Sequence, residues 1–572
     1  MQNPATRRFL IILFISLPIV LFYAFVWIYA VGIPFQDDFD GILEVVQKVN
    51  SADGIGQKIS VFFLQDDEHR VVFNRIVTYA LYSINGEVNL KYHLFLGCLL
   101  ILGIFCLIGH TFTRAKLPAW GLIPVSLLLF QVQYHEGIFW SMIPCQNFAV
   151  LFFAVVSIFL VSQNTTPALI AALFVTFLGS FSSGNGVVML VPCLLVLLYQ
   201  RRFKTAGGWA VWTLFCVGLY FHNLVIPAFR PKLSDNLVRY PLNILADFPA
   251  FMGQFFDPGT GLSPTARGLV TIPFGLVIIG WVLFLCWKLI FKTNPKVPSP
   301  SNKALVFWVG VLLFITATAF LFSIARAGDG FAAVFRSRYK LTLAVSLVLV
   351  YCTLFLVVQK KWQKMVFALG LGVGLVANAF SYYKYTADVI NFRRDLMADM
   401  FSWKYGNNLP TSPIYFARKN AVDSIIQHSL DNHYYTIPKS VFTPIEAQLT
   451  GSKTITPADT LSLTTTDDNG YVRFGSDTFV QGPQLDDGAY IVLKSDRETH
   501  LFPAQQRRNG LRRFITTQNY YCAGFDTAPI LKKGLSVGLY KVFLVEINNQ
   551  KSIIKATNQT VVVESSFKKN NI

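Results

Sequence analysis

Apolar runs of roughly 14 to 23 residues recur from Phe9 to Tyr382, separated by short polar segments. An α-helix rises about 1.5 Å per residue, so runs of this length match a hydrocarbon core about 30 Å thick. In order they lie near 9–31, 90–110, 118–133, 146–162, 167–181, 184–199, 208–226, 268–291, 304–324, 341–358 and 365–383, which predicts about eleven crossings. The pair 167–181 and 184–199 is short enough to tilt, break or form one re-entrant hairpin; losing both keeps the parity, and losing one inverts everything downstream. Arg7 and Arg8 precede a run from Phe9 to Val31 that is too long for a signal-peptide core, so it reads as the first span. After Tyr383 the pattern changes to alternating segments, YVRFG, AYIVLKS, GLYKVFLVEI and TVVVES, punctuated by Gly, Asn and Asp turns. The expected fold is a polytopic α-helical membrane domain over 1–383 with a first loop at 32–89. A β-rich soluble domain over 384–572 follows, sandwich-like behind a helical lead-in near 412–433, with a frayed tail from Lys568.

Composition sharpens this picture. The chain has 572 residues, of which 53% are hydrophobic and 14% charged, a balance foreign to a water-soluble globule. A net charge of +18 would suggest nucleic acid in a soluble protein. Here its source is the loops: Arg7, Arg8, Arg114, Lys116, Arg201, Arg202, Lys204, Lys288, Lys292, Lys296, Lys303, Lys360, Lys361 and Lys364 all fall on one side of the eleven-span arrangement, and no Asp or Glu joins them. The positive-inside rule makes that side cytoplasmic, so nucleic acid is set aside and the bilayer is the expected partner. Every carboxylate before Lys384 then faces outward, as does the β-rich domain. The expected location is a bacterial inner membrane with its chemistry on the periplasmic face. The eight cysteines show no CxxC or metal-ligand spacing and read as packing residues.

The outward segments carry the candidate chemistry. Gln36-Asp37-Asp38-Phe39-Asp40 follows span one directly, and Ile42, Leu43, Val46 and Val49 come next at helical spacing, predicting an amphipathic helix on the membrane surface. Capping of that helix accounts for one Asp; three carboxylates within four residues at the bilayer edge point to function. Gln65-Asp66-Asp67-Glu68-His69-Arg70 heads a second short helix and supplies a base, a titratable shuttle and a phosphate clamp. His135 and Glu136 lie beside Trp140 after span three. The turn Ser182-Ser183-Gly184-Asn185-Gly186 offers backbone amides to an anion. Between spans nine and ten, Arg326 to Asp329 and Arg336-Ser337-Arg338-Tyr339-Lys340 load four cations onto the outward side, against the statistical bias, and arginine forks there suit a lipid phosphate.

A first span leading into a long outward loop with an acidic pair, many further spans and an outward β-rich domain resemble the GT-C superfamily of integral-membrane glycosyltransferases. The resemblance covers the architecture but only a short motif, Asp37-Asp38. It implies an inverting transfer of sugar from a polyprenyl-phosphate donor to a glycan or lipid-linked acceptor. Asp37, then Asp38, would be the general base, and Arg336 or Arg338 would face the departing phosphate. Glu68, His69, Arg70, His135, Glu136, Arg326 and Tyr339 would bind substrate. Some members use a divalent cation, Mg or Mn, and others none; Asp37, Asp38, Glu68 and His69 are the candidate ligands. Two rival readings remain. An O-antigen ligase or polymerase uses diphosphate-linked glycans and places its large loop late. A transporter would carry ionisable residues within spans and an internal repeat, and neither stands out here.

Overall fold

The computed structural model describes residues 4–564 except 228–229, 294–298, 413–414, 452–459, 462, 469, 483 and 550; the expected frayed tail lies outside the described residues. Each apolar stretch lies on a helix. Seven of these are long and apolar enough to cross a membrane: Pro4–Tyr29, Leu90–Arg114, Pro144–Ser162, Pro264–Lys292, Pro300–Ala325, Ser337–Val357 and Lys360–Gly406. Ala119–Leu129, Thr166–Ser180 and Gly186–Tyr199 are apolar but shorter, and Phe203–Phe221 carries Lys204 and two glycines near its start. Local chemistry sets several boundaries. Ser263 and Ser299 accept backbone N–H groups from Ala266 and Asn302, and a proline follows each at the first helical position, where its missing N–H costs nothing. The last helix does not stop at Tyr383 but runs to Gly406, because Leu396, Met397, Ala398, Met400 and Phe401 are buried along its polar half.

The chain divides into two compact units. The first comprises 1–28, 40–85 and 91–385; the second comprises 29–39, 86–90 and 386–572. In the second, Tyr415–Asp431 is helical where a lead-in helix is expected. The anticipated strand segments form one nine-stranded, mainly antiparallel sheet. Its order is Thr460–Leu461, Lys551–Val563, Gly538–Asn548, Gly488–Lys494, Thr499–Arg508, Tyr521–Thr527, Tyr471–Ser476 and Thr464–Asp467, with Ile530–Leu531 also paired to Tyr471–Ser476. Period-two alternation turns Tyr540, Val542 and Leu544 into a core shared with Val472, Phe474, Ile491, Leu493, Phe525 and Val561.

The polar centre of the first unit is Asp257. Its side chain has no exposed surface. Arg267 donates to it through Nε at 2.8 Å and Nη2 at 2.7 Å, Lys340 Nζ at 2.8 Å and the Gly259 N–H at 2.9 Å. Lys340 also reaches the Tyr385 hydroxyl at 3.3 Å. One carboxylate thus joins the approach to helix Pro264–Lys292, that helix, the head of helix Ser337–Val357 and helix Lys360–Gly406. Burial pushes the Asp257 carboxyl up, but the hydrogen bonds and charges of Arg267 and Lys340 outweigh it and bring the pKa down to about 2.

Removing one partner of a buried ion cluster strands the others, at a cost of about 3–5 kcal/mol. Asp257→Ala is expected to lose that much stability in unfolding of the detergent-solubilised protein, and a loss below about 1 kcal/mol would show that the two cations find other partners. The folded-state pKa lies below the unfolded value. The stabilisation is therefore complete above about pH 4 and is lost as pH falls through about 2.

Candidate functional site

The acidic pair sits in a tight turn of the second unit. After helix Pro4–Tyr29 the chain extends to Phe35 and reverses through Gln36, whose φ of 47° is left-handed. Asp38 closes the turn twice: its N–H donates to the Phe35 carbonyl at 3.0 Å, and its Oδ2 accepts the Phe35 N–H at 3.0 Å. Its side chain is fully buried as a result, whereas the adjacent Asp37 is half-exposed. Contacts within the same unit hold the segment. The Tyr435 hydroxyl donates to the Gly32 carbonyl at 2.8 Å, Arg393 reaches the carbonyls of Tyr29 and Ala30 at 3.4 and 3.3 Å, and the rings of Phe35 and Phe392 meet edge to face.

Phe39–Leu43 forms a wide π turn, and helix Glu44–Asn50 begins after Leu43 without a side-chain cap. Nor does that helix use its apolar face on the membrane surface, since Val45 and Val49 pack against Val61, Phe62 and Tyr79.

In the first unit, the acidic stretch expected to head a helix forms a hairpin instead. Gln65–Asp66 pairs with His69–Arg70 around Asp67, whose φ is 46°, and helix Val72–Asn85 starts only afterwards. The Gln65 amide imitates a strand partner, donating to the Val225 carbonyl at 2.5 Å and accepting the Val225 N–H at 2.8 Å. Arg70 spends its fork on carbonyls of Phe63, Tyr220 and His222. Arg75 does the same on Val61, Phe62 and Leu64. Several of these acceptors are the terminal carbonyls of helix Gly54–Phe63, which carry the negative end of its dipole. Both arginines are therefore helix caps, and Arg70 acts as a clamp on protein backbone.

Glu68 faces Arg326, which pairs with its Oε1, and Arg230, whose Nε lies 3.1 Å from Oε2. Asp329 contacts the same two arginines at 3.5 and 3.6 Å. The loop carboxylate and the loop arginine singled out from the sequence are thus brought together, with Arg230 and Asp329 completing a balanced quartet. His69 Nε2 is 3.6 Å from Glu68, while its Nδ1 is buried without a hydrogen-bond partner. A Cβ at Gly184 would come within 2.6 Å of that nitrogen, so the Ser-Gly-Asn-Gly turn serves close approach to the imidazole. Burial lowers the His69 pKa against the pull of Glu68. No group of three His, Cys, Asp or Glu side chains gathers to hold a metal ion among the described residues. With Glu68 committed to two arginines, the donor set does not fit one.

A third cluster joins His135–Phe139 to Ser337–Tyr339 in the same unit. Ser337 Oγ donates to the Gln133 carbonyl at 2.9 Å and meets His135 Nδ1 at 3.3 Å. The Glu136 carboxylate accepts the Arg338 backbone N–H at 3.3 Å, and the Arg338 guanidinium lies over Trp140 and Tyr339 at 5.5 and 5.2 Å. Burial first, and Lys340 second, lower the His135 pKa to about 3, so this imidazole is neutral and stacks on Tyr385. Arg336 is exposed, and Arg338 and Tyr339 are half-exposed. Asp257 and Arg267 were not singled out from the sequence, and Lys340 was counted there among the loop cations that suit a phosphate, whereas the structure pairs it with Asp257. Their signal is charge at the edge of an apolar run, where ionisable groups are expensive.

The geometry separates the two adjacent aspartates. Asp38→Ala removes a buried hydrogen bond and is expected to cost about 1–3 kcal/mol of stability, with Asp37→Asn costing less. Melting of the two purified variants checks this, and equal losses would remove the distinction. Compared with known proteins, the chain matches no family model, no curated protein and no solved structure.

Proposed function

We propose that the protein is a GT-C-like integral-membrane glycosyltransferase that moves a sugar from a polyprenyl-phosphate carrier to a glycan or lipid-linked acceptor on the periplasmic face of a bacterial inner membrane. The reading takes the chain through eleven crossings with a cytoplasmic N-terminus, as the distribution of basic loops favours. The observation that carries it is the turn after the first helix. It buries Asp38 and leaves Asp37 half-exposed in the segment that follows a helix of membrane-spanning length.

In this mechanism Asp37 accepts the acceptor's hydroxyl proton as that oxygen attacks the anomeric carbon. The carbon–oxygen bond to the carrier phosphate breaks, the sugar inverts, and the electron pair leaves with the polyprenyl phosphate. Arg336 and Arg338 are the cations assigned to the growing negative charge, since one is exposed and the other half-exposed. Tyr339, His135 and Glu136 shape that loop. Glu68, Arg70 and Arg326 act by positioning, because their polar atoms are taken up by one another, by Arg230 and Asp329 or by backbone carbonyls, and His69 is held beside Glu68. No step runs through a metal ion.

The test is release of free polyprenyl phosphate from a panel of polyprenyl-phosphate sugars, using purified protein with a membrane glycan extract. Wild type is expected to release it, and Asp37→Asn to slow release by about 10²–10⁴-fold at unchanged melting temperature. No release from any donor, or full activity in Asp37→Asn, would overturn the reading.

A further inference from the structure

A groove of about 710 Å³ opens in the first unit between helices Thr166–Ser180 and Phe203–Phe221. Leu169 and Leu173 line one wall, and Lys204, Gly208, Trp212 and Phe215 line the other. Trp212 ties the helices together, its Nε1 donating to Thr176 Oγ1 at 3.1 Å and its ring lying 6.3 Å from Phe177. Toward Lys204 the groove is open: a Cβ at Gly207 or Gly208 would meet nothing within 4 Å.

Charge and length together indicate what fills it. Of the cations, Lys204 lines the groove itself, and Arg201 and Arg202 precede it in the turn that leads into helix Phe203–Phe221; the chain carries no Asp or Glu between Glu136 and Asp235. Burial lowers the Arg202 pKa, and no carboxylate acts to raise it. An apolar wall therefore ends at Lys204, with Arg201 and Arg202 just before it in the chain and no ion pair to any of the three among the described residues, and an anionic headgroup gains from such cations. From Lys204 to Phe215 the helix rises about 16 Å, close to half of a hydrocarbon core about 30 Å thick. The groove thus spans one leaflet, the reach of one acyl chain whose phosphate sits at the surface.

We propose that this groove binds an anionic phospholipid, with an acyl chain along Leu169, Leu173, Gly208, Trp212 and Phe215 and the phosphate on Arg201, Arg202 and Lys204. The site shares no residue with the proposed sugar transfer and stands or falls separately from it; it requires only that these helices lie in a membrane.

Native mass spectrometry of the full-length protein, titrated with phosphatidylglycerol and with phosphatidylcholine, tests the proposal. Phosphatidylglycerol is expected to be retained at least roughly tenfold more tightly. Replacing Arg201, Arg202 and Lys204 together by Gln should abolish that preference while leaving phosphatidylcholine retention in place. Gly208→Leu fills the groove from an open position with a better helix former and should weaken both lipids in a folded protein. Equal retention of the two lipids, or undiminished retention by Gly208→Leu, would overturn the assignment. So would displacement by inorganic phosphate, which marks a free-anion site, or by equimolar polyprenyl phosphate, which gives the groove to the carrier.

Discussion

A carboxylate with no exposed surface has to be surrounded by donors, and Asp257 is surrounded by two cations and a backbone amide. Desolvating such a group costs several kcal/mol even after relaxation, so the cluster persists only while every partner stays in place. This constraint reaches across the first unit. Lys340 heads one long apolar helix and Arg267 lies in the first turn of another, and both must remain within about 3 Å of one side chain. The segment 331–339, which leads from helix Pro300–Ala325 into Lys340, is thereby pinned at its end. Ser337, Arg338 and Tyr339 inherit fixed positions beside His135 and Glu136. The proposed transfer asks these polar groups to hold an anion without wandering, and a neighbouring charge cluster is what pins them.

The same economy governs the loop that follows the first helix. Arginines at a membrane surface suggest phosphate, yet Arg70 and Arg75 satisfy the end of helix Gly54–Phe63. Arg326 neutralises Glu68. An arginine's meaning depends on which acceptors come within reach, and backbone carbonyls at a helix terminus compete with any ligand. Of the residues singled out from the sequence, Glu136 and Arg336 are exposed, and Asp37 and Arg338 half-exposed.

The long-range order was more legible in the sequence than the local detail. Hydropathy located the helical stretches because membrane-length apolar runs leave few alternatives. Period-two alternation located Tyr471–Ser476, Gly488–Lys494 and Gly538–Asn548. Periodicity could not foresee the hairpin at Gln65–Arg70, since two-residue strands are too short to alternate and depend on the left-handed Asp67. It also missed helix Gly54–Phe63 and the continuation of Lys360–Gly406, whose second half is polar outside and buried on one side. Roles within clusters were the least legible. Asp37 and Asp38 are identical as letters, yet the Phe35 amide reaches Asp38, which is buried, while Asp37 is half-exposed.

The second unit is assembled from three separated stretches, 29–39, 86–90 and 386–572. Its contacts therefore bridge hundreds of residues: Gly32 waits for Tyr435, and Val88 for Tyr434. Such pairings form late, because long loops must close before any contact rewards them. On a ribosome the acidic turn emerges among the first forty residues, yet its anchors are synthesised only in the last third of the chain. The segment bearing Asp37 thus acquires its fixed geometry near the end of biosynthesis, and a chain cut short before residue 386 would expose the turn without the partners that shape it.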